Sequence, residues 1–436
     1  MDYGGKVPET LTRSRELPWF GLLKVRRFRW LWAGVGLSML ADQAFLVALT
    51  WLVLRVAGAG VELGAVLAVA SIPGIVLMPV GGVIGDRFPP SLVLVVSSVV
   101  RALLLAVLAM LAVLDATDLW HVYALAGGLS AMDALYYPAS MAAIPATVER
   151  DRLETANASI QGAEQVSGIV GPTIAAFAVA FVGLGSGLAM ISLMFVAAAA
   201  VFAFMARATG VRTLAGATSR STRISESTPE GEEHAGSQSV LADLLVGLRY
   251  AWRDPIIRTI LLVLVGINAA MMGPLYVGGA TLAQRELGGV GAFGVLVAAA
   301  SAGALLGSLI AGSIMRVRRR GLAVLVLTAS LGLEVAAFCL ITNLAVAIML
   351  ALAIGASASF LAVINISWLQ ERAEPGLTGR VMSLAVLATM ALDPISFALA
   401  GVLVEVNLKA TFVGAGALLL LTAMLGATNR ATRVAD

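Results

Sequence analysis

Polar residues in this chain come in short clusters separated by long apolar stretches. Runs of roughly twenty or more residues with almost no charge recur at 30–53, 62–84, 91–114, 119–142, 155–182, 187–206, 256–283, 291–315, 321–341, 344–369, 379–402 and 409–428. An apolar run of about 18 residues or more is long enough to cross a bilayer as a helix. The pattern therefore predicts an all-α membrane protein with twelve transmembrane helices. The connections are short with one exception. Residues 207–250 contain RSTRISESTPEGEEHAGSQ, a polar, Ser/Glu/Gly-rich stretch that reads as a flexible linker. It divides the spans six and six. The organisation expected is an N-terminal interfacial segment (1–29), a six-helix bundle (30–206), the linker (207–250), a second six-helix bundle (251–428) and a short tail (429–436).

Composition agrees with this pattern. The 436 residues are 59% hydrophobic and 13% charged, with a mean hydropathy of +0.94. Cys339 is the single cysteine, so no disulfide can form within one chain. His121 and His234 are the only histidines, too few for a His/Cys metal site. No metal or cofactor is expected. The soluble parts hold no nucleophile–base pair or phosphate-binding loop, so an enzyme is the least expected reading. The first apolar run follows a polar, basic start and is long enough to span, which argues against a cleaved signal peptide. Only three of the 29 basic residues are lysine, a bias that hints at a GC-rich bacterial genome.

The basic residues orient the spans, because loops rich in Lys and Arg stay in the cytoplasm. With the N-terminus inside, 25 of the 29 basic residues fall in inner segments; Arg55, Arg285 and Lys409 lie outside, and Arg101 lies within a span. Both termini and the linker are expected in the cytoplasm of a bacterial cell, and the chain in its inner membrane. This topology accounts for the pI near 9.2 without nucleic acid as a partner.

The halves share features. LLKVRRFRWLWAG (22–34) precedes the first span and LLVGLRYAWRDP (244–255) the seventh, each placing bases and aromatics at the membrane surface. Pro172 in the fifth span and Pro394 in the eleventh occupy comparable positions. An internal repeat is expected.

Between spans two and three stands GGVIGDRFPP (81–90). Its glycines permit close helix contact, and Pro89 and Pro90 stop one helix and set the entry of the next. GVIGDRF resembles the loop 2–3 signature of the major facilitator superfamily, with Gly82, Asp86 and Arg87 matching; the basic half of the signature is replaced by Pro89, Pro90 and Ser91. The resemblance implies two pseudo-symmetric six-helix bundles around a central cavity, and a gating role for Gly82, Asp86 and Arg87. SGIVGP (167–172) resembles the helix-5 motif of the family's drug/proton antiporters, which implies a bend at Gly171 and Pro172; Ala175 and Ala176 stand where that motif ends in glycines. FRWLWAG, PASMAAIP and LRYAWRDPIIR are similar to a bacterial branch of macrolide-type and siderophore exporters, which implies efflux. The second-half counterpart of the loop, GSIMRVRRRG (312–321), has Arg316 where the Asp would stand.

Charges inside spans cost about 2.5–3.5 kcal/mol each on insertion scales and so carry a function or a partner. At about 1.5 Å per residue, Asp42, Arg101, Asp133 and Glu164 lie roughly 13–18 Å from the inner surface, near the middle of a core about 30 Å thick. Glu334 and Asp393 reach about 20 Å on the same arithmetic. These are five acids and one base, and Asp133 is the partner expected for Arg101, since their spans are consecutive. A carboxylic acid in a low-dielectric site holds its proton more readily, the requirement for a proton-coupled carrier. Glu164 leads the candidates: it lies seven residues before Gly171, flanked by Gln161 and Ser167, so a polar stripe runs along one face. The alternative is packing against an amide or Arg. For Asp42 the alternative to coupling is local hydrogen bonding; for Asp133 with Arg101 and for Asp393 beside Pro394, a structural role; Glu334 is read as structural. Gln43, Tyr137, Gln161, Asn268, Tyr276 and Asn365 are candidate cavity residues.

The function expected is export of a lipophilic or amphipathic small molecule in exchange for protons, by a chain working as a monomer in the bilayer. The acidic excess favours neutral or cationic cargo. A proton-coupled nutrient importer and a non-transporting sensor or assembly protein are the rivals.

Overall fold

A computed structural model describes Leu22 and residues 24–58, 60–149, 152–209, 248–313, 319–374 and 377–429. Most of the expected linker, the segment up to Gly21, the tail after Asn429, His234 and the stretch 314–318 with Arg316 lie outside the described residues, and of Asp86 only the backbone is described.

Every described element is helical. The helices are α1 (Arg26–Ala57), α2 (Gly60–Arg87), α3 (Pro90–Val113), α4 (Leu119–Ala143), α5 (Leu153–Val182), α6 (Leu184–Thr209), α7 (Pro255–Leu287), α8 (Val290–Ser313), α9 (Arg320–Leu340) and α10 (Leu344–Arg372). Then come Thr378–Met390 and Asp393–Thr428. At 1.5 Å per residue the latter would be about 54 Å long, too long for one crossing. It is broken at Asn407, which leaves helical geometry (φ −163°, ψ 107°) and accepts the Ala410 N–H at 3.0 Å, capping a new helix. The part before Asn407 completes α11 and the part after it is α12. Among the described residues ten helices meet a length-and-hydropathy criterion for crossing a membrane. Dividing that last stretch and adding α4 gives twelve, as the apolar pattern predicts.

The same packing occurs twice. In the first half α1 packs on α5 and α6, α2 on α4, and α3 on α4 and α6. In the second, α7 meets α11 through Gly273 and Ser396, α8 packs on α10, and α9 meets α12 through Gly332 and Gly416. Small residues bring helices close, as expected where lipid offers no hydrophobic drive for association. A Cβ on Gly303, Gly307 or Gly355 would run into backbone across the α8–α10 contact. Gly81 approaches the Ala134 carbonyl of α4 in this way, whereas a Cβ on Gly82 or Gly85 would meet nothing within 4 Å. The expectation of close contact at all three glycines is corrected: Gly82 and Gly85 lie on faces of α2 with open space beside them, while Ile84 between them packs on the core.

The halves meet through α5 on α8 and α2 on the Asp393–Thr428 helix. Gly64 lies against Phe397 and Gly401, and Gly60 against Val404 and Glu405. On the other side Gly294 faces the Pro172 carbonyl and Ala176, and Gly168 faces Ser301. These contacts run from the end where α1 passes into α2, here the distal end, to about mid-span. Among the described residues, every inter-half hydrogen bond and close glycine approach lies in that stretch. Among the described residues none of these contacts joins the halves at the opposite end, where α1 begins and α12 finishes, and Val80, Val83, Leu309, Ile310, Val386 and Leu387 are exposed there.

Candidate functional site

Arg101 on α3 is the largest fully buried side chain, at 0% exposure. Its guanidinium lies 4.1 Å from the ring centre of Tyr136 (α4) and 5.3 Å from that of Phe195 (α6), cation–π contacts that fix its plane. Nη1 donates to Ser38 Oγ and to both carboxylate oxygens of Asp42, each at 3.2 Å, and Nη2 stands 3.3 Å from Asp133 Oδ1. The expected pairing of Arg101 with Asp133 alone is corrected: Arg101 bridges two acids. The physical reason is the fork of the guanidinium, whose two NH2 groups reach carboxylates on different helices. Asp42, for which local bonding within α1 was the alternative, is also a partner of Arg101. The carboxylates are themselves open, with side-chain exposures of 39% and 53%. A buried cation thus sits behind two accessible carboxyl groups.

Glu164 and Gln161 on α5 are exposed. Residue i+4 from Glu164 is Gly168, whose face meets Ser301 of α8, and i+4 again is Pro172, whose carbonyl meets Gly294. Residues four apart share a helix face, so Glu164 lies on the inter-half face one turn beyond the Gly168–Ser301 contact, and it is exposed. Gly171 packs in the other direction, against Leu40 and Gln43 of α1. Pro172 is accommodated within a continuous α5.

In the second half Asn268 on α7 is buried and donates to the Thr389 carbonyl at 2.5 Å and to Asp393 Oδ1 at 2.6 Å. Asp393 begins a new helix after the turn at 391–392, with Pro394 in its first turn, where a missing N–H is harmless. Ser396, one turn on, donates to the Ala269 carbonyl and accepts the Gly273 N–H, both at 2.8 Å, tying α7 to α11. Tyr276 stacks edge-on against Phe397, 6.4 Å between centres, in a π-helical turn Pro274–Gly278. Asn365 is wholly buried in α10, with neither amide atom hydrogen-bonded to a described residue. That position is interior rather than cavity-lining, contrary to expectation. Tyr137 is exposed, Gln43 is partly buried at the α1–α5 contact, and Arg87 is exposed at the end of α2. Glu334 Oε1 accepts from Ser330 at 3.0 Å and from Ser357 at 2.8 Å, a local arrangement within the second half.

Two structural features escaped the sequence. The double pairing of Arg101 depends on three helices meeting, which spacing does not encode. Glu405, at the distal end of α11, reads as an ordinary boundary acid, yet it bonds to the other half. Among the described residues no group of three or more His, Cys, Asp or Glu is placed to hold a metal ion.

The family model for the Major Facilitator Superfamily matches residues 31–392. The chain belongs to the major facilitator superfamily. A multidrug efflux pump, Tap, of Mycolicibacterium fortuitum is 28% identical over 405 residues, covering 90% of this chain and 92% of that protein. An uncharacterised transporter of the same family from Sinorhizobium fredii is 25% identical over 417 residues, 92% of this chain and 95% of that one. Among solved structures, the nucleoside transporter NupG superimposes with a TM-score of 0.71 at 11% identity, covering 92% of this chain and 98% of that one. An auto-inhibited peptide transporter of the POT family gives 0.68, also at 11% identity, covering 92% and 96%. These likenesses show the fold. Family membership, the apolar helices and the two packed halves make this superfamily member a multi-pass transporter in a lipid bilayer that carries small molecules.

Proposed function

We propose that the chain exports lipophilic or amphipathic small molecules, neutral or cationic, in exchange for protons across a bacterial inner membrane, with both termini cytoplasmic. The observation that carries this reading is the acidic excess near mid-membrane: Asp42 and Asp133 against one Arg101, with the exposed Glu164 one turn past the Gly168–Ser301 contact. Cargo enters between the halves from the end where α1 begins. The halves then rock about the α5–α8 and α2–α11 contacts, closing one end and opening the other. The trio holds one carboxylate more than it holds cations, so a single proton neutralises it. Glu164 and Asp393 add further carboxylates on the two walls. Protons taken from outside replace departing cargo and are released inside, driven by about 2.3 kcal/mol per charge per 100 mV. The relationship to the efflux pump of Mycolicibacterium fortuitum supports the outward direction and the drug-like cargo.

The test is expression in a bacterium lacking its main pumps, with a panel of lipophilic and cationic drugs, with and without a protonophore. Reduced potency that the protonophore and Glu164→Gln both abolish is the expected result. A panel with no change in potency overturns the export reading. Everted vesicles with a pH gradient of each sign separate export from proton-coupled import of a nutrient, the alternative on this fold.

A further inference from the structure

We infer that Glu405 is the latch of the distal gate, a residue that holds the two halves together when the other end is open. Its Oε1 accepts the backbone N–H of Gly60 at 2.6 Å, across the interface between halves. Gly60 is the first residue of α2, so this N–H is one of those a helix leaves without an internal partner. A carboxylate there satisfies the donor and faces the positive end of the helix dipole. The same carboxylate is oriented from its own half by Arg285 of α7, whose Nη2 stands 3.3 Å from Oε1 and 3.2 Å from Oε2. The seat is close-fitted: a Cβ on Gly60 would lie 3.0 Å from Val404 and 3.2 Å from both Glu405 and Thr281. Among the described residues this is the one side-chain hydrogen bond that joins the halves at the distal end. Arg55 and Asp115, another charged pair at this end, lie within the first half. When the distal end opens, Gly60 and Glu405 separate and both are hydrated, so the bond favours the state seen here and is absent from its opposite. A cap of this kind exchanged for water shifts an equilibrium by about threefold to tenfold.

This inference rests on the alternating-access reading above, and its test does not require the cargo to be known. Spin labels are placed at Val56→Cys and Lys409→Cys, one on each half at the distal end, in a Cys339→Ser background, and their distance distribution is measured in lipid nanodiscs. Glu405→Ala is expected to raise the long-distance population about threefold to tenfold. Glu405→Gln keeps an acceptor for Gly60 and should fall between. Asp115→Asn, on the same surface but inside one half, should match the parent. Distances for Glu405→Ala that equal the parent's, or a shift as large for Asp115→Asn, overturn the latch. If Glu405→Ala is poorly folded, Arg285→Gln carries the test: it leaves the carboxylate in place but unoriented, and an unchanged distribution there overturns the proposal. A chain whose distances respond but which moves no drug would leave the latch standing and the export reading overturned.

Discussion

The two halves of this molecule share a packing scheme and differ in what they put at its centre. In the first, α3 drives a guanidinium into the middle of the bundle, where it is stacked on aromatics and bridges acids from α1 and α4. In the second, no cation reaches that depth among the described residues. Asp393 is held by an amide, Asn268, and Glu334 by two serine hydroxyls. Amides and hydroxyls support a carboxyl group in either protonation state, whereas a guanidinium stabilises the ionised form. The two halves thus share a packing scheme and differ in the charges it encloses.

The largest effect is expected from breaking the feature that distinguishes the halves. Arg101→Ala empties the buried site where the guanidinium packs on Tyr136 and Phe195 and strips two partly exposed carboxylates of their counter-charge, a loss of about 2–5 kcal/mol. The variant should express poorly and melt far below the parent in detergent. Arg101→Met combined with Asp42→Asn and Asp133→Asn makes the site neutral and should recover most of the lost stability while remaining inactive. A single variant that melts like the parent would show that the first half does not depend on its cation.

Next in size is Glu164→Gln. The side chain has an open setting on α5, so the melting point should stay within a few degrees of the parent. If the residue carries one coupled proton, the attainable cargo gradient falls by about fiftyfold at 100 mV. Accumulation in everted vesicles measures this directly. An unchanged gradient would move the coupling role to the trio around Arg101.

Both halves and their helices were legible in the sequence, because crossing a bilayer demands length and apolarity that composition displays directly. The ends of α1, α5 and α12 lie within a few residues of the apolar runs. The break at Asn407 was visible as the gap between the last two runs. The candidate site was legible only as a set of depths. Depth comes from counting along one helix, and it placed Asp42, Arg101 and Asp133 at one level. Which of them touch depends on rotation about each axis and on neighbours. Hence Asp133 was foreseen as a partner of Arg101 and Asp42 was not, and Asn365 was placed in a cavity it does not line. Glu405 was missed for a related reason: its partner is a backbone N–H, which leaves no residue type to read.

Asp393→Asn probes the second half at its better-supported acid. The substitution keeps an acceptor for the Asn268 amide and loses the charge, so stability should fall by about 1 kcal/mol. Its effect on transport should be selective: cationic drugs lose protection while neutral ones keep it, in the same susceptibility panel. Equal loss for both kinds would assign Asp393 to coupling and make the two halves chemically alike.

The smallest effect belongs to Glu334→Gln. The acid sits on α9, and Ser330 and Ser357 both donate to Oε1, an acceptor that glutamine retains. Its second oxygen is buried without a partner among the described residues, so the substitution moves an amide group into a setting that gives the charge no compensating cation. Stability should change by no more than about 1 kcal/mol. Drug protection should match the parent at every concentration tested. A loss of transport at an unchanged melting point would place a coupling acid on the second half after all, at a depth matching the first, and the division of chemistry between the halves would fall with it.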